Sequence, residues 1–135
     1  MTPDMEPILA TDASVLGVLK ELIRREPIFH RPELGTTRAD FENMTVADFW
    51  EVGASGRRYS RIDVLDALEK RYASPHTDVW ETAGFHCWKL AEDVYLLTYT
   101  LIQGHKRKTR RSTIWQRSAG DWRIVYHQGT LVQDE

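Results

Sequence analysis

The chain has 135 residues, 41% of them hydrophobic and 28% charged, with a formal net charge of −2. One domain accounts for this length, and 10% aromatic content with five Trp excludes a disordered chain. The near-neutral charge excludes a global field for nucleic acid or an anionic membrane, and the single cysteine, Cys87, excludes an internal disulfide and a multi-cysteine zinc site.

No stretch approaches the ~18 consecutive apolar residues of a membrane helix. Residues 1–12 carry Asp4, Glu6 and Asp12 but no lysine or arginine, so a basic secretory start is not expected. A lone cysteine fits a reducing compartment, and the expected location is the cytoplasm.

The first periodic segment is 12–26. Val15, Leu16, Leu19, Leu22 and Ile23 recur at helical spacing, Asp12 or Thr11 supplies a cap, and Pro27 limits the helix. Ile28-Phe29-His30-Arg31-Pro32 continues either as a kinked helix or as a loop. Residues 35–44 predict a loop and a short helix, with Thr36 or Thr37 as cap and Phe41 and Met44 inward. Residues 45–54 predict a strand centred on Asp48-Phe49-Trp50-Glu51-Val52, then a Ser55-Gly56 turn and a brief returning strand over 57–60.

A second amphipathic helix is predicted over 61–72. Ser60 and Asp63 form a capping box, Ile62, Leu65, Leu68 and Tyr72 form the apolar stripe, and Asp66 and Lys70 form an i,i+4 pair. Ser74-Pro75-His76 ends it. Four strands follow, at 79–90, 94–103, 108–117 and 122–132, joined by connections short enough for antiparallel neighbours.

Helices followed by an antiparallel meander define an α+β fold, one domain over 1–135 with its core at about 12–132. In the 94–103 strand, Val94, Leu96 and Ile102 share one face and Tyr95, Leu97, Tyr99 and Leu101 the other. Both faces are apolar, and helices can cover only one. The other is expected to meet a second copy of the chain, the alternative being cover by the chain's own loops.

Several residues carry candidate chemistry. His127 suits proton transfer near neutral pH, or a structural hydrogen bond between elements. Glu26 and His30 stand four apart and share a face if the helix passes Pro27; the spacing is not a zinc HExxH motif. Glu51 lies between Trp50 and Val52, where a carboxylate can act as a base or pair with Arg57 or Arg58. Strand alternation sets Glu51 opposite Trp50 without saying which faces inward. Trp50, Trp88, Tyr99, Trp115 and Tyr126 suit either a cavity wall or plain core, with Ser112, Thr113 and Gln128 as polar additions. Without a Gly-x-Ser-x-Gly elbow, no serine nucleophile is supported. The basic run Lys106-Arg107-Lys108-Thr109-Arg110-Arg111 fits a solvated hairpin or charged strand-edge protection better than a nucleic-acid patch. Cys87 reads as a small buried residue.

Four segments carry a resemblance: Arg25-Glu26-Pro27-Ile28-Phe29-His30-Arg31, Asp48-Phe49-Trp50-Glu51-Val52-Gly53-Ala54-Ser55-Gly56-Arg57, Ser112-Thr113-Ile114-Trp115, and Trp122-Arg123-Ile124-Val125-Tyr126-His127-Gln128-Gly129-Thr130. Over about residues 14–132 the chain resembles the nuclear transport factor 2-like superfamily, which includes SnoaL-like cyclases and ketosteroid isomerases. It is most similar there to bacterial proteins of the domain-of-unknown-function-4440 type, and its last strand is similar to the association domain of calmodulin-dependent kinase. The resemblance implies a cone-shaped, curved antiparallel sheet covered by the N-terminal helices, enclosing a pocket and dimerising through its convex face. It implies a binding domain for a small, largely apolar molecule, or a SnoaL-like enzyme doing acid–base chemistry without metal or cofactor. The acid–base candidates are His127, Glu51, Glu26 and His30. The ligand-contact candidates are Trp50, Tyr99, Ser112, Trp115, Tyr126 and Gln128. The ketosteroid isomerase pattern of an Asp base with a Tyr and a protonated Asp cannot be placed here residue by residue.

Overall fold

The computed structural model describes residues 6–74 and 79–133. Asp12 starts the first helical segment, its carboxylate accepting from the Ser14 N–H at 3.0 Å ahead of a 3₁₀ turn at Ala13–Val15. Thr11 does not cap the helix. Its Oγ1 accepts from the Cys87 N–H at 3.1 Å and ties this end of the chain to the sheet. Helix α1 (Leu16–Ile23) buries Leu22 and stops short of Pro27, which follows a cis peptide bond. The helix therefore does not continue to His30. A separate 3₁₀ turn at Ile28–His30 takes over.

Helix α2 (Arg38–Met44) and helix α3 (Arg61–Tyr72) both start on complete capping boxes, Thr37 with Asp40 and Ser60 with Asp63. The α-helices among the described residues thus number three. The apolar stripe of α3 is Val64, Leu65, Leu68 and the partly buried Tyr72, whereas Ile62 is 64% exposed. Asp66 does not pair along its helix with Lys70. It accepts from Arg38 of α2 at 2.7 Å, and Glu69 accepts from the same guanidinium at 3.0 Å. Of the expected helix stop, Pro75 and His76 lie outside the described residues.

The strands are β1 (Thr45–Val52), β2 (Arg58–Ser60), β3 (Trp80–Ala91), β4 (Val94–Gln103), β5 (Arg107–Ser118) and β6 (Asp121–Leu131). They form one sheet in the order β2-β1-β6-β5-β4-β3. The meander is antiparallel as expected, but β1 runs parallel to β6, so the sheet is mixed. Parallel pairing needs a long crossover, and most of the chain from α3 to β5 supplies it. The two end strands β2 and β3 do not pair with each other, so the curved sheet stays open and is not a closed barrel. Tight turns join the last three strands, each built on two consecutive residues at positive φ: Gly104-His105 and Ala119-Gly120.

The core lies between the helices and the concave face. Leu22, Phe41, Leu97, Leu101 and Trp115 are completely buried in it. Cys87 joins this layer, and burial pushes its thiol up to about 11.

Among the described residues, no helix is long and apolar enough to cross a membrane. Nor does any group of three or more His, Cys, Asp or Glu among them form an arrangement that could hold a metal ion.

Candidate functional site

Strand pairing lays side chains out in transverse rows, alternating between the two faces. One concave row reads Cys87, Leu97, Thr113, His127, Glu51 and Tyr59 across all six strands. The next reads Tyr99, Arg111 and Gly129. His127 reaches the concave face because of a bulge. Ile114 pairs with Tyr126 but Trp115 pairs with Ile124, leaving Val125 as an extra residue that reverses the phase of β6.

A pocket of about 350 Å³ lies between this face and the helices. Its apolar wall includes Pro27, Ile28, Phe29, Val64, Leu68 and Ile124. Its polar lining includes Glu26, His30, Glu51, Tyr99, Arg107, Arg111 and His127. The four acid–base candidates therefore meet in one cavity. Glu26 and His30 do so without sharing a helix, Glu26 standing just before Pro27 and His30 ending the 3₁₀ turn that follows.

The segment carrying Glu26 and His30 is held through its backbone carbonyls. Arg31 fixes the Glu26 backbone, donating to its carbonyl from Nη2 at 2.8 Å and from Nε at 3.1 Å, and stacks on Trp80 at 4.8 Å. The His30 turn is anchored to α3 by the Tyr72 hydroxyl and Arg71, which donate to the Phe29 carbonyl at 2.7 and 3.2 Å.

Glu26 is 2% exposed, and its Oε2 accepts from the Tyr99 hydroxyl at 2.5 Å. Its Oε1 has no hydrogen-bond partner. Burial, and then the neighbouring Glu26 charge, hold the Tyr99 phenol well above its ordinary value, so it is a donor at neutral pH. His127 Nδ1 lies 3.7 Å from Glu51 Oε1, within ion-pair range once the imidazole is protonated. That nitrogen too has no hydrogen-bond partner. Both atoms are buried and unsatisfied, a state that costs free energy until something bonds to them.

The ligand-contact candidates divide by face. Tyr99 lines the pocket. Trp115 is on the concave side but completely buried in the core, away from the lining. Trp50, Tyr126, Ser112 and Gln128 are on the convex face, where the Trp50 and Tyr126 rings pack 4.7 Å apart.

The basic run is not edge protection, since β5 is interior to the sheet. It also splits. Arg110 pairs with Glu6 at 3.0 Å, whereas Arg107 and Arg111 line the pocket. The signal for this is in the sequence: counting back by twos from Trp115 passes Thr113, Arg111, Thr109 and Arg107.

No family model matches the sequence, and no curated protein does. Solved structures match over nearly the whole chain. One is a candidate dehydratase from the NTF2-like family of Streptomyces avermitilis (12% identity, TM-score 0.70, 87% of this chain and 98% of that one). Another is a candidate ketosteroid isomerase from Parabacteroides distasonis (13% identity, TM-score 0.66, 94% and 98%). A third is a candidate Ca/calmodulin-dependent kinase II association domain from Exiguobacterium sibiricum (17% identity, TM-score 0.56, 97% and 99%). The chain has the nuclear transport factor 2-like, or cystatin-like, α+β fold.

Proposed function

We propose that the chain binds a small, largely apolar organic molecule in the concave pocket. One observation carries the reading: Glu26 and His127, each holding a buried polar atom that lacks a protein partner, are both lining residues of one 350 Å³ cavity that also has an apolar wall. A ligand with a hydrogen-bonding group beside an apolar body suits a lining that sets Glu26, Glu51 and His127 beside Ile28, Phe29, Val64 and Leu68. Ala67, exposed on α3 and part of the lining, offers a clean test. Ala67→Trp is expected to leave stability within about 0.5 kcal/mol, as for ordinary surface changes, and to abolish binding of fragments detected by calorimetry. Fragments that bind the variant as well as the parent would place the site elsewhere.

Proton-transfer catalysis is a second reading, favoured by the approach of His127 to Glu51 within the same pocket. The names of the dehydratase and isomerase structures accord with it. A bound molecule recovered chemically altered assigns an enzyme; one recovered unchanged assigns a binder.

The convex face suggests the partner. One transverse row across five strands is apolar throughout: Trp88, Leu96, Ile114, Tyr126 and Trp50. Trp88 is 62% and Trp50 44% exposed. A two-fold axis through this row lays it against itself, so the proposed occupant is a second copy of the chain. Light scattering is expected to give twice the chain mass for the parent and the single mass for Trp50→Glu/Trp88→Glu. A parent that stays monomeric at all concentrations removes the dimer.

A further inference from the structure

Several arginines of this fold have an acidic partner. Arg38 holds Asp66 and Glu69, Arg117 holds Asp93, and Arg110 holds Glu6. Two of the arginines lining the pocket, Arg107 and Arg111, do not. Among the described residues, no carboxylate oxygen lies within ion-pair distance of either. Arg111 donates from Nε to Thr109 Oγ1 at 2.8 Å and reaches Gln103 Oε1 from Nη2 at 3.5 Å. Arg107 donates to the same Gln103 oxygen at 2.8 Å, so one amide gathers both guanidinium groups.

The backbone opposite Arg111 makes room for its side chain. Across the ladder stands Gly129, and a Cβ there would come within 3.4 Å of Arg111 Nε. The guanidinium lies close over backbone and lines the cavity. Burial holds it below its ordinary value, with the neighbouring Arg107 charge acting the same way and Glu26 and Glu51 opposing, but an arginine stays charged. Glu26 and Glu51 act on Arg111 only from a distance, so its fork is not engaged by a carboxylate, and a planar fork matches a carboxylate in two parallel hydrogen bonds.

We infer that the ligand carries a carboxylate docked on Arg111, with Arg107 beside it, and that its apolar body extends toward Ile28 and Leu68. The inference rests on the pocket being a small-molecule site and adds the ligand's chemical class.

Phenylacetate and its uncharged isostere phenylacetamide test it by calorimetric titration of the intact chain. Phenylacetate is expected to bind on the order of tenfold or more tightly than the amide. Arg111→Gln is expected to erase the preference. Arg111→Lys, which keeps the charge without the fork, is expected to retain part of it and guards against a variant that does not fold. Equal affinity for both probes, or a preference unchanged in Arg111→Gln, overturns the inference while leaving the pocket reading intact. Failure of both probes to bind counts against both.

Discussion

Trp115→Ala is expected to lower the unfolding free energy by about 3–5 kcal/mol, the cost of emptying a large aromatic site in a packed core. A domain holds only about 5–15 kcal/mol in total, so the variant sits near the limit of folding. Trp115 has no exposed surface and pairs across the sheet with Tyr95 and Ile124, with Trp122 edge-on at 6.4 Å. Little around it can collapse into the space. Trp115→Phe is expected to cost much less. Phenylalanine refills most of the volume and removes the buried Nε1–H, which has no partner. Denaturant titration of both variants checks this. A Trp115→Ala chain as stable as the parent would mean that the indole is not a main support of the core on the concave face.

Tyr99→Phe removes the donor that satisfies Glu26 Oε2 and leaves a buried carboxyl with no side-chain partner. The expected loss is about 1–3 kcal/mol at neutral pH. Glu26→Gln keeps an acceptor for the phenol and is expected to lose less. The effect of Tyr99→Phe has a pH signature. Below about pH 10 the phenol is protonated in folded and unfolded chains alike, and the bond contributes in full. Above that, the unfolded tyrosine releases its proton while Tyr99, raised by burial and by Glu26, keeps it. The folded state then binds more protons, so its stability falls as pH rises. Tyr99→Phe lacks this limb. The gap between parent and variant is therefore widest below pH ~10 and narrows above it. A gap that widens with alkaline pH contradicts the assignment.

Local features were the legible part of the fold. Ser60 and Asp63 announced the start of α3, and the apolar residues of β4 announced a strand, whose Tyr95, Leu97, Tyr99 and Leu101 are buried while Val94, Leu96 and Ile102 are only partly so. The parallel β1–β6 pairing was not legible, because it joins segments about 75 residues apart and no local preference encodes the direction of such a pair. Ile62 was misplaced because one turn of α3 satisfies two apolar stripes, and only packing against α2 and β1 selects Val64.

The site was legible in its residue types and partly hidden in its orientation. His127, Glu51, Glu26 and His30 were all visible as titratable candidates, and all four line the pocket. Which face His127 takes depends on one extra residue, Val125, and a bulge leaves no simple mark in composition. That shift sends Tyr126 and Gln128 outward with Trp50 and Ser112. Arg107 and Arg111 were obscured by their neighbours: a run broken only by Thr109 looks like solvent-facing charge until strand phase is counted from Trp115.

Side chains of one strand point to opposite faces, so the central claim has a direct spectroscopic test. It is chemical-shift mapping of a bound carboxylic acid on the His127 imidazole and the Leu68 methyl groups, set against the Trp50 and Trp88 indoles. The concave site predicts shifts at His127 with the two indoles unmoved. Shifts at Trp50 and Trp88 with His127 unmoved would contradict it.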